Sequence, residues 1–261
     1  MMEDVQGRPD TRGIAIDLVG ICDLTYPIIV PHPLHERTTT IAKFVMAVSL
    51  PAEVKGTHMS RFVEILHNHG QELSVDGLPE FVARLRTRLG AERARVEARF
   101  PLFLERAAPA SGSKALMDYE CTFLADASSL GTEVTLGVRV PITTLCPCSK
   151  AISDYGAHNQ RSYVSLQVRW PIGGQQLTAN ELISLCEASG SAPVFPLIKR
   201  TDERFLTMKA FENPAFAEDV VRNVAQTLQK DARVAWFSVN VVNLESIHNH
   251  NAYAQIEWAR R

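Results

Sequence analysis

The sequence contains no apolar run approaching the roughly 18 residues that a bilayer-spanning helix requires, and neither sign of charge is in excess. Lys and Arg number 27 against 29 Asp and Glu, for a formal charge of −2. The first absence argues against a helical membrane protein. The second argues against a global basic field that would attract nucleic acid or a lipid surface, while leaving room for a local phosphate site. The first twelve residues are polar and carry Glu3, Asp4 and Asp10, which is wrong for a secretory signal, so a cytoplasmic location is expected. No Gly-rich loop follows a strand-like run, which argues against Rossmann and P-loop nucleotide sites. Cysteine is scarce and odd in number, five in 261 residues, so a disulfide framework is not expected in a reducing compartment. Cys22, Cys121 and Cys186 stand apart in apolar or helical settings and read as small core residues. Only Cys146 and Cys148 cluster.

What is present is ordinary globular material, 46% hydrophobic and 21% charged, with length enough for one large domain or two small ones. Residues 1–12 read as a flexible lead. Apolar or alternating runs at Gly13–Val19 and Thr38–Leu50 predict strands joined by a connection rich in proline, Pro27 to Pro33. Ser60 precedes a helical pattern with Phe62, Val63 and Leu66 on one face, stopped by Gly70. A second helix starts at Leu78 with Phe81, Val82, Leu85 and Leu89 in register; the Arg/Glu-rich stretch beyond Gly90 either breaks or continues helically to Phe100. Strands follow at Asp118–Ala127 and Glu133–Leu145. The second half echoes this order: a strand at Arg161–Trp170, helices at Thr178–Ala188 and Phe216–Leu228, and strands at Val234–Leu244 and Ala252–Trp258. Paired antiparallel strands alternating with two helices predict an α+β protein, its sheet covered by helices on one face.

The segment richest in chemistry is Cys146-Pro147-Cys148, followed by His158. Thiolate and neutral imidazole are donors that zinc and its neighbours favour. One intervening residue makes it awkward for both sulfurs to reach one ion, so one thiol is expected to ligate and the other to support it; a structural zinc knot or a pair of core thiols is the alternative. Near the C-terminus His248 and His250 end an apolar strand behind Glu245. If extended, they project to the same face, suited to proton transfer near neutral pH, to a metal, or to a plain surface hairpin. Lys199 to Glu203 reads as a charged loop. Glu218 and Asp219 begin a helix, where the dipole alone favours carboxylates. Lys55, His58 and Arg61 surround another helix start, which fits an anion cradle or a solvated loop and cap.

Six runs taken together resemble the type IB GTP cyclohydrolases, a family of the tunnelling fold: KGTHMSRF (55–62), TTLCPCSK (143–150), YGAHNQRS (155–162), LIKRTDE (197–203), ENPAFAED (212–219) and NLESIHNHNAYA (243–254). The resemblance implies two tandem tunnelling-fold units, 13–145 and 146–261, each an antiparallel sheet with paired helices on one face. It implies conversion of GTP and water to 7,8-dihydroneopterin triphosphate and formate, the entry to folate-type pterins and, in many bacteria, to queuosine. It further implies one divalent metal per site, whether zinc, manganese or iron, held by Cys146 and His158 and joined by Glu203. Glu218 would manage protons on the attacking water or serve as a ligand itself. His248 and His250 would protonate the opening ring, and Glu245 would hold the guanine edge. Lys55, His58 and Arg61 are the expected triphosphate contacts. The implied working form is a homo-oligomer, a tetramer with sites between subunits, acting on GTP without nucleic acid or membrane partners.

Overall fold

The computed structural model describes residues 6–33, 36–171 and 173–260. Residues 1–5 of the expected lead lie outside these. Residues 6–10 are tied down, because Gly56, Lys55 and Asp10 N–H groups bond the carbonyls of Gln6, Arg8 and Glu53 at 2.9–3.1 Å.

Nine strands and six helices are found among the described residues: β1 (Ile16–His32), β2 (Glu36–Leu50), α1 (Met59–His69), α2 (Leu78–Leu89), β3 (Ala94–Ala107), β4 (Lys114–Ser128), β5 (Gly131–Leu145), α3 (Pro147–Ile152), β6 (Asn159–Arg169), α4 (Ala179–Ser189), β7 (Ala192–Pro193), α5 (Arg200–Glu212), α6 (Ala217–Lys230), β8 (Trp236–Asn243) and β9 (Ala252–Ala259). The hydrogen-bonded strand order is β1-β2-β3-β4-β5-β6-β8-β9, with β7 added to β5. The α+β class expected from the sequence is the class found.

Contacts gather the chain into two compact units. One comprises residues 1–101 and 122–136, the other 102–121 and 137–261, so β3, β4 and β5 each run through both. In the first unit the inner side chains of β2, Phe44, Met46 and Val48, are buried, as are Phe62, Ile65 and Leu66 of α1 and Phe81, Val82 and Leu85 of α2. Ile65 takes the inward place expected for Val63, which is exposed. In the second unit, β6 and β8 bury Val164, Leu166, Val168, Phe237, Val239 and Val241, while α4 and α6 bury Leu182, Ile183, Val220, Val224 and Leu228. Each unit is thus an antiparallel sheet region with a pair of helices packed on it.

Two expectations are corrected and one open choice, the break or continuation at Gly90, is decided in favour of the break. The proline-rich stretch is no connection: Pro27 and Pro31 sit inside β1, opposite Ile41 and Arg37. β1 is an edge strand, where a residue without an N–H costs no ladder bond if it faces away from the partner. The run after Gly90 is not helical. Gly90 closes α2 in the left-handed conformation at φ 61°, and β3 follows with Ala94, Val96, Ala98, Phe100, Leu102 and Leu104 buried at period two. Finally, Lys199 to Glu203 is not a loop but the cap and first turn of α5. Of the three isolated cysteines, Cys121 and Cys186 are buried as expected, and burial pushes the Cys121 thiol up to about 12. Cys22 is exposed.

Asp202 fixes the start of α5. Its carboxylate accepts from the N–H groups of Ala110, Ser111 and Lys199 at 2.8 Å each, and from the Ser111 hydroxyl at 2.6 Å. Burial alone would raise this carboxyl. The hydrogen bonds from Ser111, Lys199 and Ala110 outweigh it and hold the group well below the usual carboxylate range.

Two predictions follow from this packing. A group depressed in the folded state stabilises it fully above its unfolded value, and the contribution fades as pH falls through the folded one. Asp202→Asn should therefore melt below the parent by a constant margin from pH 5 to 7, and the margin should shrink below about 3.8; a margin that grows with acid contradicts this assignment. Gly20 lies between two register shifts of the β1–β2 ladder. A Cβ there would sit 1.9 Å from the Met46 carbonyl oxygen, so Gly20→Ala should cost about 1–3 kcal/mol by overpacking, read as a melting point lowered by roughly 2–4 °C per kcal/mol.

Candidate active site

The site is built on the end of β5. Leu145, its last residue, is buried and held from two directions: its N–H donates to Ser191 Oγ at 3.0 Å, and its carbonyl accepts from Ala215 N–H at 3.1 Å. Ser191 N–H in turn donates to the Thr143 carbonyl at 2.9 Å. The side-chain amide of Asn213 donates to the Gly190 carbonyl at 2.9 Å. Gly190 lets the chain pass close to β5: a Cβ would meet Ile142 Cδ1 at 2.7 Å and the Thr143 carbonyl oxygen at 3.2 Å, so a side chain there would have to displace the buried Ile142. The backbone entering Cys146 is therefore fixed by β7, by the end of α5 and by the approach to α6.

Cys146 caps α3. Its Sγ accepts the Ser149 N–H at 3.4 Å, and Pro147 takes the first helical position, where a missing N–H costs nothing. The Cys146 N–H donates to the His158 carbonyl at 3.0 Å. Ser149 Oγ donates to the Cys146 carbonyl at 3.1 Å and accepts the His158 N–H at 3.2 Å. These bonds close the 146–158 loop and bring the backbones of Cys146 and His158 together. Both residues are half-buried, whereas Cys148 is exposed.

The His158 ring is held from behind. Its Nδ1 lies 3.0 Å from Gln160 Oε1 and 3.4 Å from Ser246 Oγ. Gln160 donates from Nε2 to Thr144 Oγ1 at 2.9 Å, and Thr144 shares a 2.7 Å bond with Ser162 Oγ. Gln160, Thr144 and Ser162 are all buried. None of these three, nor Ser246, was given a role from the sequence. The available signal was the inner face of β6, where Gln160 and Ser162 break a series continued by Val164, Leu166 and Val168.

β8 ends at Asn243, and Leu244 N–H bonds the Arg161 carbonyl at 2.9 Å. Residues 246–250 form a bend rather than the extended strand that the His pair was read on. The His248 and His250 rings nevertheless stack, 5.1 Å between centroids at 20°. Both are exposed and Glu245 is half-buried. The bend reaches His158 through Ser246. Glu203 stands exposed in the first turn of α5, and Glu218 is exposed in the first turn of α6. In the first unit, Lys55 is exposed just before α1, whose N-cap residue His58 makes no side-chain cap; Arg61 lies half-buried in its first turn.

Among the described residues no group of three or more His, Cys, Asp or Glu side chains is gathered where it could hold one ion. The structure brings Cys146 and His158 together, with Ser246 of the His-pair bend beside them. It does not add Glu203 to them within one chain.

Comparison with known proteins places the whole chain. The model of the type I GTP cyclohydrolase FolE2 family matches residues 2–254. A GTP cyclohydrolase FolE2 of Geotalea uraniireducens is 47% identical over 260 residues, covering 100% of this chain and 94% of the relative. Its counterpart from Methylococcus capsulatus is 48% identical, covering 100% and 96%. Among solved structures, uricase from Arthrobacter globiformis superposes with a TM-score of 0.56 over 94% of this chain and 93% of its own, at 8% identity. A urate oxidase variant from Bacillus sp. TB-90 gives 0.53, again at 8%. These structural likenesses show the tunnelling fold alone, while identity near one half over the full length, together with the family match from end to end, shows that the chain belongs to the type I GTP cyclohydrolase FolE2 family.

Proposed function

We propose that the chain hydrolyses GTP to 7,8-dihydroneopterin triphosphate and formate in the cytoplasm, at the head of folate-type pterin biosynthesis, with Cys146 and His158 as the core of its metal site. The observation that carries this reading is the hydrogen-bonded closure of Cys146 onto His158, with the imidazole Nδ1 engaged by Gln160. A thiol sulfur and the Nε2 edge of the ring remain as donors, a pair suited to zinc, manganese or iron. A divalent cation bound there supplies Lewis acidity toward water and the purine ring.

The remaining roles belong to side chains of this protein. Glu203 is the candidate third ligand, and an oligomer, with a tetramer as the favoured state and sites between subunits, would bring further donors to the pair. Glu218 takes or returns protons of the attacking water. His248 and His250, stacked on an exposed bend, deliver protons to the imidazole-ring nitrogen of guanine as the ring opens at C8 and as formate leaves. Glu245 accepts the two adjacent donors of guanine, the ring N1–H and the exocyclic amine. Lys55, His58 and Arg61 contact the triphosphate. Tandem tunnelling-fold units would span residues 13–145 and 146–261, a division along the chain at the step from β5 to the Cys146 cap that differs from the interleaved contact units.

Anaerobic incubation with GTP and zinc, manganese or iron should yield formate and pterin fluorescence together, and a chelator should abolish both. Cys146→Ala should lose turnover and bound metal, while Cys148→Ala keeps measurable metal. Equal loss of metal in both variants would refute the division between the thiols.

Glu245 should select guanine over adenine, whose corresponding ring nitrogen presents a lone pair. Hydrogen bonds to a charged group are worth roughly 1.5–3 kcal/mol each, so Glu245→Gln, which sets an N–H against a donor, should lower kcat/KM by about ten-fold if one weak bond is lost and by more than about ten-thousand-fold if two strong ones are. Metal content should not change. GTP affinity equal to the parent's with slow turnover would instead make Glu245 a support for the His pair.

A further inference from the structure

A glutamine side chain carries an acceptor at one end and donors at the other, so the end that a buried glutamine turns toward a histidine favours one of the two ring tautomers. Gln160 is such a residue. It is 7% exposed, and Thr144 and Ser162 behind it are fully buried. Its Nε2 end faces the Thr144 hydroxyl at 2.9 Å and its Oε1 end faces His158 Nδ1 at 3.0 Å. Thr144 is in turn committed to Ser162 at 2.7 Å. β5 supplies one hydroxyl and β6 the other, so the amide is gripped by the sheet itself.

The carbonyl end can face Nδ1 favourably only if Nδ1 carries the proton, which leaves the lone pair on Nε2. The reversed amide would place an N–H against Nδ1, drive the ring proton to Nε2, and remove that nitrogen as a ligand. We propose that Gln160 is a positioning residue: held at its amide end by Thr144, which Ser162 holds in turn, its carbonyl keeps the His158 proton on Nδ1 and so prepares Nε2 to bind metal. Ser246 Oγ, at 3.4 Å from Nδ1, is the weaker second contact.

This inference rests on the reading of Cys146 and His158 as the metal pair, and the experiment separates the two. The full-length protein, stripped of metal and labelled with ¹⁵N histidine, gives the tautomer of each ring from its two nitrogen shifts, with His158→Ala assigning the signal. Zinc affinity is then measured by competition with a chromogenic chelator for the parent, Cys146→Ala, His158→Ala, Gln160→Leu and Gln160→Glu. The expected result is a parent ring protonated at Nδ1 before any metal is added. Gln160→Leu should give a mixed tautomer and zinc affinity about 10–100-fold weaker. Gln160→Glu, which retains an acceptor at the same place, should keep the Nδ1 proton and most of the affinity. A parent ring protonated at Nε2 overturns the proposal even if Gln160→Leu fails to fold, and so does parent-like zinc affinity in a folded Gln160→Leu. If Cys146→Ala and His158→Ala bind zinc as the parent does, the metal reading itself has failed.

Discussion

The anchoring of Leu145 is the constraint on which the site depends. A strand end normally frays, since its last N–H and carbonyl have no ladder partner and must find others. Here both groups find partners outside the ladder, Ser191 Oγ for the N–H and Ala215 N–H for the carbonyl. The residue that follows, Cys146, therefore leaves the sheet in one direction only. Because Ala215 lies in the turn between α5 and α6, and Ser191 between α4 and β7, three helices are referred to the same residue. Ala192 and Ala210 pack on the Leu145 side chain, with Ala157 and Leu206 beside them. Small residues there let backbone come close, at the expense of tolerance for anything larger.

Polar chemistry and packing are layered on β6. Its later half, Val164 to Val168, buries aliphatic side chains, with α4 packed on the strand, and its first residues bury an amide and a hydroxyl instead. A strand that buries polar groups in its interior pays for them in desolvation unless every one is bonded. Thr144, Gln160 and Ser162 satisfy one another, and His158 terminates the chain at the half-buried surface. The rigidity of the ring thus derives from the same ladder that forms the core.

Much of this was legible in the sequence, for identifiable reasons. Periodicity located α2, α6, β8 and β9 because one face of each is apolar and its neighbours are not. The Cys146–His158 pairing was legible because unusual donors stand close along the chain. α5 was hidden because Arg200 to Glu212 has no clean apolar face. What holds its first turn is Asp202 reaching to residues 110 and 111, about ninety positions earlier, and no local pattern records that. β3 was hidden for the opposite reason: its inward alanines and outward arginines fit a helix as well as a strand, and pairing with β2 decided between them. Pro27 and Pro31 read as breakers because the sequence does not say that β1 lies at an edge. Gln160 escaped notice since a lone polar residue at a strand start is unremarkable until its neighbours are known.

The two compact units are interleaved along the chain, and this bears on synthesis at the ribosome. Residues 122–136 complete the first unit, yet residues 102–121, which belong to the second, emerge before them. That early piece carries Leu102, Leu104, Tyr119 and Cys121, all buried in the finished protein, and its partners from Gly137 onward have still to be made. At the usual 5–20 residues per second it waits on the order of ten seconds. During that interval its apolar face is a client for a chaperone or for a neighbouring nascent chain, so the order of translation, rather than the stability of the finished fold, sets when this protein is most vulnerable to aggregation.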